Sequence, residues 1–98
     1  MTRQETVEIL SRNKMLLSDF HVNALYLLGS VVRDEAVPDS DIDTLVEFNQ
    51  DARVALFELA RLRTFLSEIL GCNVDLVIPD ALHPLLKERI MGEVVRAA

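Results

Sequence analysis

Between Ser40 and Phe48 the chain reads SDIDTLVEF, with acidic or polar residues alternating with apolar ones. A period of two is strand behaviour, because successive side chains point to opposite faces of a sheet. Asp41 and Asp43 then share one face, with Cα atoms roughly 6.5–7 Å apart. Ile42, Thr44, Val46 and Phe48 fall on the other. The pattern recurs in NVDLVIP, where Val74, Leu76 and Ile78 take one face and Asp75 takes the opposite one. A sheet made from such strands needs apolar cover on one side and leaves its carboxylates on the other. The fold class this predicts is α/β (α+β), two layers with helices behind the sheet.

The rest of the chain supplies the cover. Residues 2–17 are predicted to be helical, with Val7, Leu10 and Leu17 on one side. NALYLLG, residues 23–29, reads as a buried strand ending at Gly29, and residues 30–34 as a short helix or turn. EAVPDS is a loop around Pro38. From about residue 51 to residue 70, Ala55, Leu56, Leu59, Leu62, Leu66, Ile69 and Leu70 recur at three- and four-residue spacing. They predict an amphipathic helix that Gly71 stops. Pro79 ends the later strand. From about residue 83 the tail is again helical, with Pro84 in its first turn and a stripe of Leu86, Ile90 and Val94. The predicted order is α-β-(short α)-β-α-β-α.

At 98 residues the chain has room for one core, so residues 1–98 are read as a single domain. Half of the residues are hydrophobic and 27% are charged, the balance of a compact domain rather than a disordered one. No apolar run approaches the roughly 18 residues of a membrane span, and MTRQETVEIL does not read as a secretion signal. Cytoplasmic residence is expected, and the single cysteine, Cys72, accords with a reducing compartment as a small apolar filler beside Gly71. The formal net charge is −6. No basic run is present, which disfavours direct binding of long nucleic acid. A nucleotide that arrives with its own cation is compatible with that acidity.

Two carboxylates side by side repel and raise each other's pKa, and a divalent cation removes the conflict. Hard oxygen donors of this kind suit Mg²⁺, which keeps water and substrate phosphates as its other ligands. If the strand of Asp75 lies beside that of Asp41 and Asp43, the three acids form a cluster able to hold two ions about 3.5–4 Å apart, as in phosphoryl transfer. Gly29-Ser30, where a strand gives way to a turn, offers close backbone approach and N–H groups to an anion. Arg33 lies about one helical turn further on, within reach of the same phosphates. Two other readings compete. DSDIDTLVEFNQ begins like a calcium loop but has Thr44 where the turn glycine belongs and Gln50 where the bidentate glutamate belongs. A solvated sheet face would explain Asp41 and Asp43 but not Asp75 or Gly29-Ser30.

Gly29, Ser30, Arg33, Ser40, Asp41, Asp43 and Asp75 together resemble the signature of minimal nucleotidyltransferases, of the superfamily that includes DNA polymerase beta. VDLVIPDALHPLLKERI is similar to that family's usual ending. The resemblance implies a small mixed sheet backed by helices and a Mg²⁺-dependent transfer of a nucleoside monophosphate from ATP or another NTP, with two ions. By the same analogy Asp41 and Asp43 bind metal, and Asp75 binds one ion or accepts the proton of the acceptor hydroxyl. Gly29 and Ser30 hold the triphosphate, with Arg33 and Ser40 beside it. Minimal members pair with a helical HEPN-type toxin in hetero-oligomeric toxin–antitoxin systems, which implies an antitoxin that adenylylates its partner. The alternative is a non-catalytic antitoxin that neutralises by steric occlusion. One departure is Asp34, where the family often has glycine.

The remaining residues carry plainer expectations. His21 and His83 lack a second ligand at metal spacing and read as capping or surface residues. Tyr26 is expected to be a buried ring with a bonded hydroxyl, Met91 a core residue, and Glu47 a solvated acid rather than a further ligand.

Overall fold

The computed structural model describes residues 2–35, 41–51, 53–79 and 82–98. Ser40 and most of the EAVPDS loop lie outside them. In chain order the elements are α1 (Arg3–Arg12), α2 (Lys14–Ser18), β1 (Val22–Leu28), a 3₁₀ turn (Gly29–Val31), β2 (Ile42–Phe48), α3 (Leu56–Leu70), β3 (Val74–Val77), α4 (Pro84–Met91) and β4 (Val95–Arg96). The strands form one mixed sheet in the order β3-β2-β1-β4. β2 runs antiparallel to β1 and parallel to β3, the crossover being α3.

Local chemistry explains most boundaries. Thr2 and Glu5 close a reciprocal capping box at the start of α1. The predicted single helix over 2–17 is two helices, because the Asn13 side chain bonds back to the carbonyl of Ile9 at 2.8 Å and competes with the ladder. α3 starts at Leu56 rather than near residue 51. Ala55, counted in the apolar period, is the extended residue before it. Gly71 ends α3 in the left-handed conformation, φ 71°. α4 opens with Pro84 in its first turn, and His83 Nδ1 accepts the Leu85 N–H at 3.3 Å, the capping role expected of it.

The tail holds a strand that periodicity did not predict. α4 stops at Met91, so Val94 is not on its stripe, and Val95 and Arg96 pair with Leu27 and Tyr26. The ladder continues where Leu25 donates to Ala98 and accepts from Ala97. Ser11 Oγ donates to the Ala97 carbonyl at 2.8 Å, which ties α1 to that edge.

The core lies on one side of the sheet. Leu10, Leu17, Leu25, Leu27, Ile42, Val46, Leu62, Leu66 and Val74 are almost wholly enclosed there. Phe20 meets Phe65 with ring centroids 5.1 Å apart. Ile42, Thr44 and Val46 face this layer as the alternation requires. The other side is not uniformly wet. Leu45, on the face of Asp43, is fully buried although it lies outside the main cluster. Tyr26, opposite Leu45, is half-buried, and Met91 lines a cavity of about 640 Å³ with Glu47 and Phe48.

Candidate active site

Strand register brings three of the sequence-predicted residues, Gly29, Asp43 and Asp75, together. In the parallel pair Asp43 lies opposite Asp75, and in the antiparallel pair it lies opposite Leu28. Gly29 follows Leu28 directly, so the first strand hands its turn to the carboxylate of the second. Gly29 has φ +76°, and a Cβ built there would sit 2.8 Å from Asp43 Oδ2. Glycine is required twice, by the backbone conformation and by the close approach.

Asp41, just before β2, and Asp75 are exposed, while Asp43 is half-buried. The pKa of Asp43 is raised. Burial is the largest cause, followed by the charges of Asp75 and Asp41 and a hydrogen bond with the Asp75 carboxyl. Burial and the neighbouring acids together oppose ionisation of Asp43. Thr44 keeps them in register: its buried hydroxyl donates to the Asp75 carbonyl at 3.0 Å. Arg63 of α3 donates through Nε to the Val74 carbonyl at 3.1 Å. Neither residue carried a usable signal, since Thr44 occupies a core-facing position and Arg63 reads as one more exposed helix cation.

Among the described residues no three carboxylate, imidazole or thiol groups form a ready-made metal cage. Asp43 lies opposite Asp75 on the neighbouring strand, and the charge of Asp41 also bears on Asp43. This donor set still fits Mg²⁺, which is commonly held by one or two carboxylates with substrate phosphates and water completing its shell. The repulsion recorded in the raised Asp43 pKa is what a bound cation relieves.

The turn after Gly29 is tight. The Ser30 carbonyl accepts the N–H groups of Arg33 and Glu35 at 3.2 and 2.9 Å. Arg33 points to solvent, paired with Glu35 at 3.0 Å with side chains 58% and 63% exposed. Asp34 is turned away from the acids. Its carboxylate accepts the Arg3 N–H at 2.7 Å, one of the donors that the start of α1 leaves without a helical partner, and Arg3 Nη1 donates to the Val32 carbonyl at 3.3 Å. Asp34 has φ +56°, a conformation glycine adopts freely and aspartate tolerates. Glu47 accepts from Asn23 Nδ2 at 2.9 Å, apart from the cluster. Burial, then the Asp41 charge, pushes the Cys72 thiol pKa up, against a reactive role.

Comparison with known proteins identifies the family and the fold. The family described as Nucleotidyltransferase domain matches residues 7–97. The protein adenylyltransferase MntA of Thermococcus cleftensis is 35% identical over 96 residues, covering 97% of this chain and 95% of its own. A candidate protein adenylyltransferase of Methanocaldococcus jannaschii is 45% identical over 69 residues, covering 70% and 72%. Among solved structures, a candidate minimal nucleotidyltransferase superposes with a TM-score of 0.81 at 32% identity, covering 97% of this chain and 95% of that one. The fold also recurs in a complex of a tri-AMPylated Shewanella oneidensis HEPN toxin with an MNT antitoxin, with a TM-score of 0.66 at 20% identity over 99% and 72% of the two chains. The match along nearly the whole chain, on a sheet whose register sets Asp43 between Gly29 and Asp75, shows that the protein belongs to the nucleotidyltransferase domain family.

Proposed function

We propose that residues 1–98 form one nucleotidyltransferase domain that moves AMP from ATP to a hydroxyl of a partner protein. The partner is a HEPN-type toxin, and the chain is its antitoxin in a hetero-oligomer. The observation that carries this reading is the in-register pairing of Asp43 with Asp75 beside Gly29. The partner class is supported by relatives named protein adenylyltransferase and by the fold shared with the MNT antitoxin of a HEPN–MNT complex.

Asp41, Asp43 and Asp75 would hold Mg²⁺, two ions in the fullest arrangement. When bound, the cation screens the acids and the triphosphate charge and polarises the phosphoryl group. Gly29 and Ser30 give the triphosphate a turn whose backbone can approach closely. In the transfer the acceptor oxygen forms a bond to the α-phosphorus, the bond from that phosphorus to the bridging oxygen breaks, and pyrophosphate leaves. The hydroxyl proton passes to the Asp75 carboxylate, which is exposed on that face. Cytoplasmic residence accords with a cysteine that is free and half-buried, and among the described residues no helix is long and apolar enough to cross a membrane.

Incubation with labelled ATP, Mg²⁺ and the co-purified partner, followed by intact-mass measurement of both chains, tests the reading. The expected result is AMP on the partner and none with Asp41→Asn or Asp43→Asn, although both variants still bind it. Equal transfer by those variants would overturn the assignment of the acids. Neutralisation by variants that transfer nothing would favour occlusion instead.

A further inference from the structure

β3 is an edge strand of only four residues, and it carries Asp75. In a parallel ladder alternate residues turn both backbone groups to the same neighbour. The Ile42 N–H donates to the Asn73 carbonyl at 3.0 Å. With Ile42 opposite Val74 and Thr44 opposite Leu76, Asn73 and Asp75 therefore bond inward to β2, while Val74 and Leu76 turn outward. Arg63 confirms the sense of that edge by reaching the Val74 carbonyl from α3. Among the described residues the Leu76 N–H and C=O have no partner on the outer side. An open edge is a template for another strand, and soluble proteins usually protect it.

Beside this edge α3 and β3 enclose a groove of about 470 Å³, with Leu56 and Ala60 on the helical wall, Leu76 and Ile78 on the strand, and Asp75 at its margin. Leu56 is 83% exposed there, a large apolar side chain left in water on the wall of an unpaired strand. A strand added to β3 would lie about 4.8 Å away and send alternate side chains to opposite faces. One set meets the Leu56–Ala60 wall. The other projects onto the carboxylate face, where the residue level with Asp75 comes within about 5 Å, Cβ to Cβ. The Asp41, Asp43 and Asp75 cluster and the net charge of −6 favour basic flanks on the incoming segment.

We infer that the outer edge of β3 and the Leu56–Ala60 wall form the seat of the acceptor: an extended segment of the partner protein adds as a fifth strand, apolar on alternate residues and basic at its ends, with its hydroxyl residue level with Asp75. This rests on the function proposed above. It assigns β-strand addition as the means by which a hydroxyl is presented to the acids. The transfer balances as before: oxygen–phosphorus bond made, pyrophosphate released, proton to Asp75.

The test uses the full chain and the synthetic peptide Lys-Val-Gln-Val-Tyr-Val-Gln-Val-Lys, whose tyrosine and valines fall on opposite faces. Amide exchange is followed in ¹⁵N-labelled protein with and without the peptide, and MgATP binding is measured separately. The expected result is slowed exchange at the Leu76 N–H and transfer of AMP to the tyrosine. Ala60→Arg, an exposed helical site where arginine is well tolerated, should fill the groove. Leu76→Pro removes the outward N–H, a change an edge strand accepts. Each should raise the peptide concentration needed for half-maximal transfer by about tenfold, through a lost backbone hydrogen bond in Leu76→Pro and an obstructed groove in Ala60→Arg, with MgATP binding within about twofold of wild type.

If the peptide leaves Leu76 unprotected at millimolar concentration, or if Ala60→Arg labels the peptide and the natural partner as wild type does, the seat is wrong while nucleotidyl transfer stands. A seated peptide that receives no AMP, although the natural partner does, refutes the acceptor role of the groove. Absence of MgATP binding and of transfer to any acceptor is the separate failure of the enzymatic reading, and it removes the acceptor assignment with it.

Discussion

Asp43→Asn should abolish transfer and yet stabilise the metal-free protein. Asp43 faces Asp75 across adjacent strands, which lie about 4.8 Å apart, and Asp41 adds a weaker repulsion. Two unit charges about 5 Å apart repel by about 1 kcal/mol in a water-like dielectric and about 3 kcal/mol at an effective dielectric constant of 20. Asp41 and Asp75 are exposed and Asp43 is half-buried, so solvent screening places the effect near the lower figure. Removing the charge with a near-isosteric amide should then raise Tm in EDTA by roughly 5 °C for a domain of this size.

Mg²⁺ should reverse the order. At ten times its dissociation constant an ion that binds only the folded state adds about 1.4 kcal/mol, and the variant receives little of it. The dependence on pH has a definite sign. Because its pKa is raised, folded Asp43 holds a proton more tightly than the unfolded chain does. The stability this contributes is present below the ordinary carboxylate range and is lost as pH rises through the folded pKa. Wild type and variant should therefore converge in acid and diverge toward neutrality. Thermal melts followed by circular dichroism, in EDTA and in MgCl₂ across that range, measure both effects. A variant that melts below wild type in EDTA at neutral pH would refute the reasoning, since Asp43 would then be stabilising the fold rather than straining it.

The same melts and MgATP titrations bear on the glycines and on the bond that anchors the loop. Gly29→Ala should lose about 1–2 kcal/mol from its left-handed backbone and lose MgATP binding as well, because the new Cβ meets the Asp43 carboxylate. Gly71→Ala has the same kind of φ but nothing within 4 Å, so it should cost about 1 kcal/mol and leave binding intact; identical behaviour of the two variants would make the contact with Asp43 incidental. Asp34→Asn should stay within about 0.5 kcal/mol of wild type, while Asp34→Ala, which loses the bond to Arg3 in an unfavourable conformation, should fall by about 1–2 kcal/mol. Asp34→Gly should lie between them, since glycine relaxes the backbone as the bond is lost.

The parts of this fold legible in sequence are those where one period runs long enough to be seen. β2 has seven residues, and its alternation put Ile42, Thr44 and Val46 on the core side. α3 has fifteen, and its spacing identified Leu62, Leu66 and Leu70, all buried. β4 was hidden because its paired stretch is two residues long and its pairing depends on a strand nearly seventy residues away. The break at Asn13 was hidden because the flanking apolar residues keep helical spacing through it, while the cause is a side-chain bond that periodicity does not register. The site divides in the same way. Residue type and alternation put Asp43 and Asp75 on a common face, but only register makes them neighbours. The outward turn of Arg33 and the bond from Arg3 to Asp34 are tertiary facts without a local signature.

The placement of the acids explains how so small a chain tolerates them. Asp41 and Asp43 lie at the start of β2 and Asp75 at the start of β3, so parallel pairing gathers them at one end of the sheet. Two residues further along the same face the side chain is Leu45, fully buried, opposite Val77 and Tyr26. The carboxylate surface is therefore a rim rather than a whole face, and the apolar middle of the sheet is enclosed on both sides. Moving the acids two residues inward would bury them where Leu45 lies, at a desolvation cost of several kcal/mol per charge. That is comparable with the whole stability of a domain of this size. At the rim they remain exposed enough to fold without a cation and crowded enough to attract one. A short parallel pair joined by one helix is enough to produce both conditions.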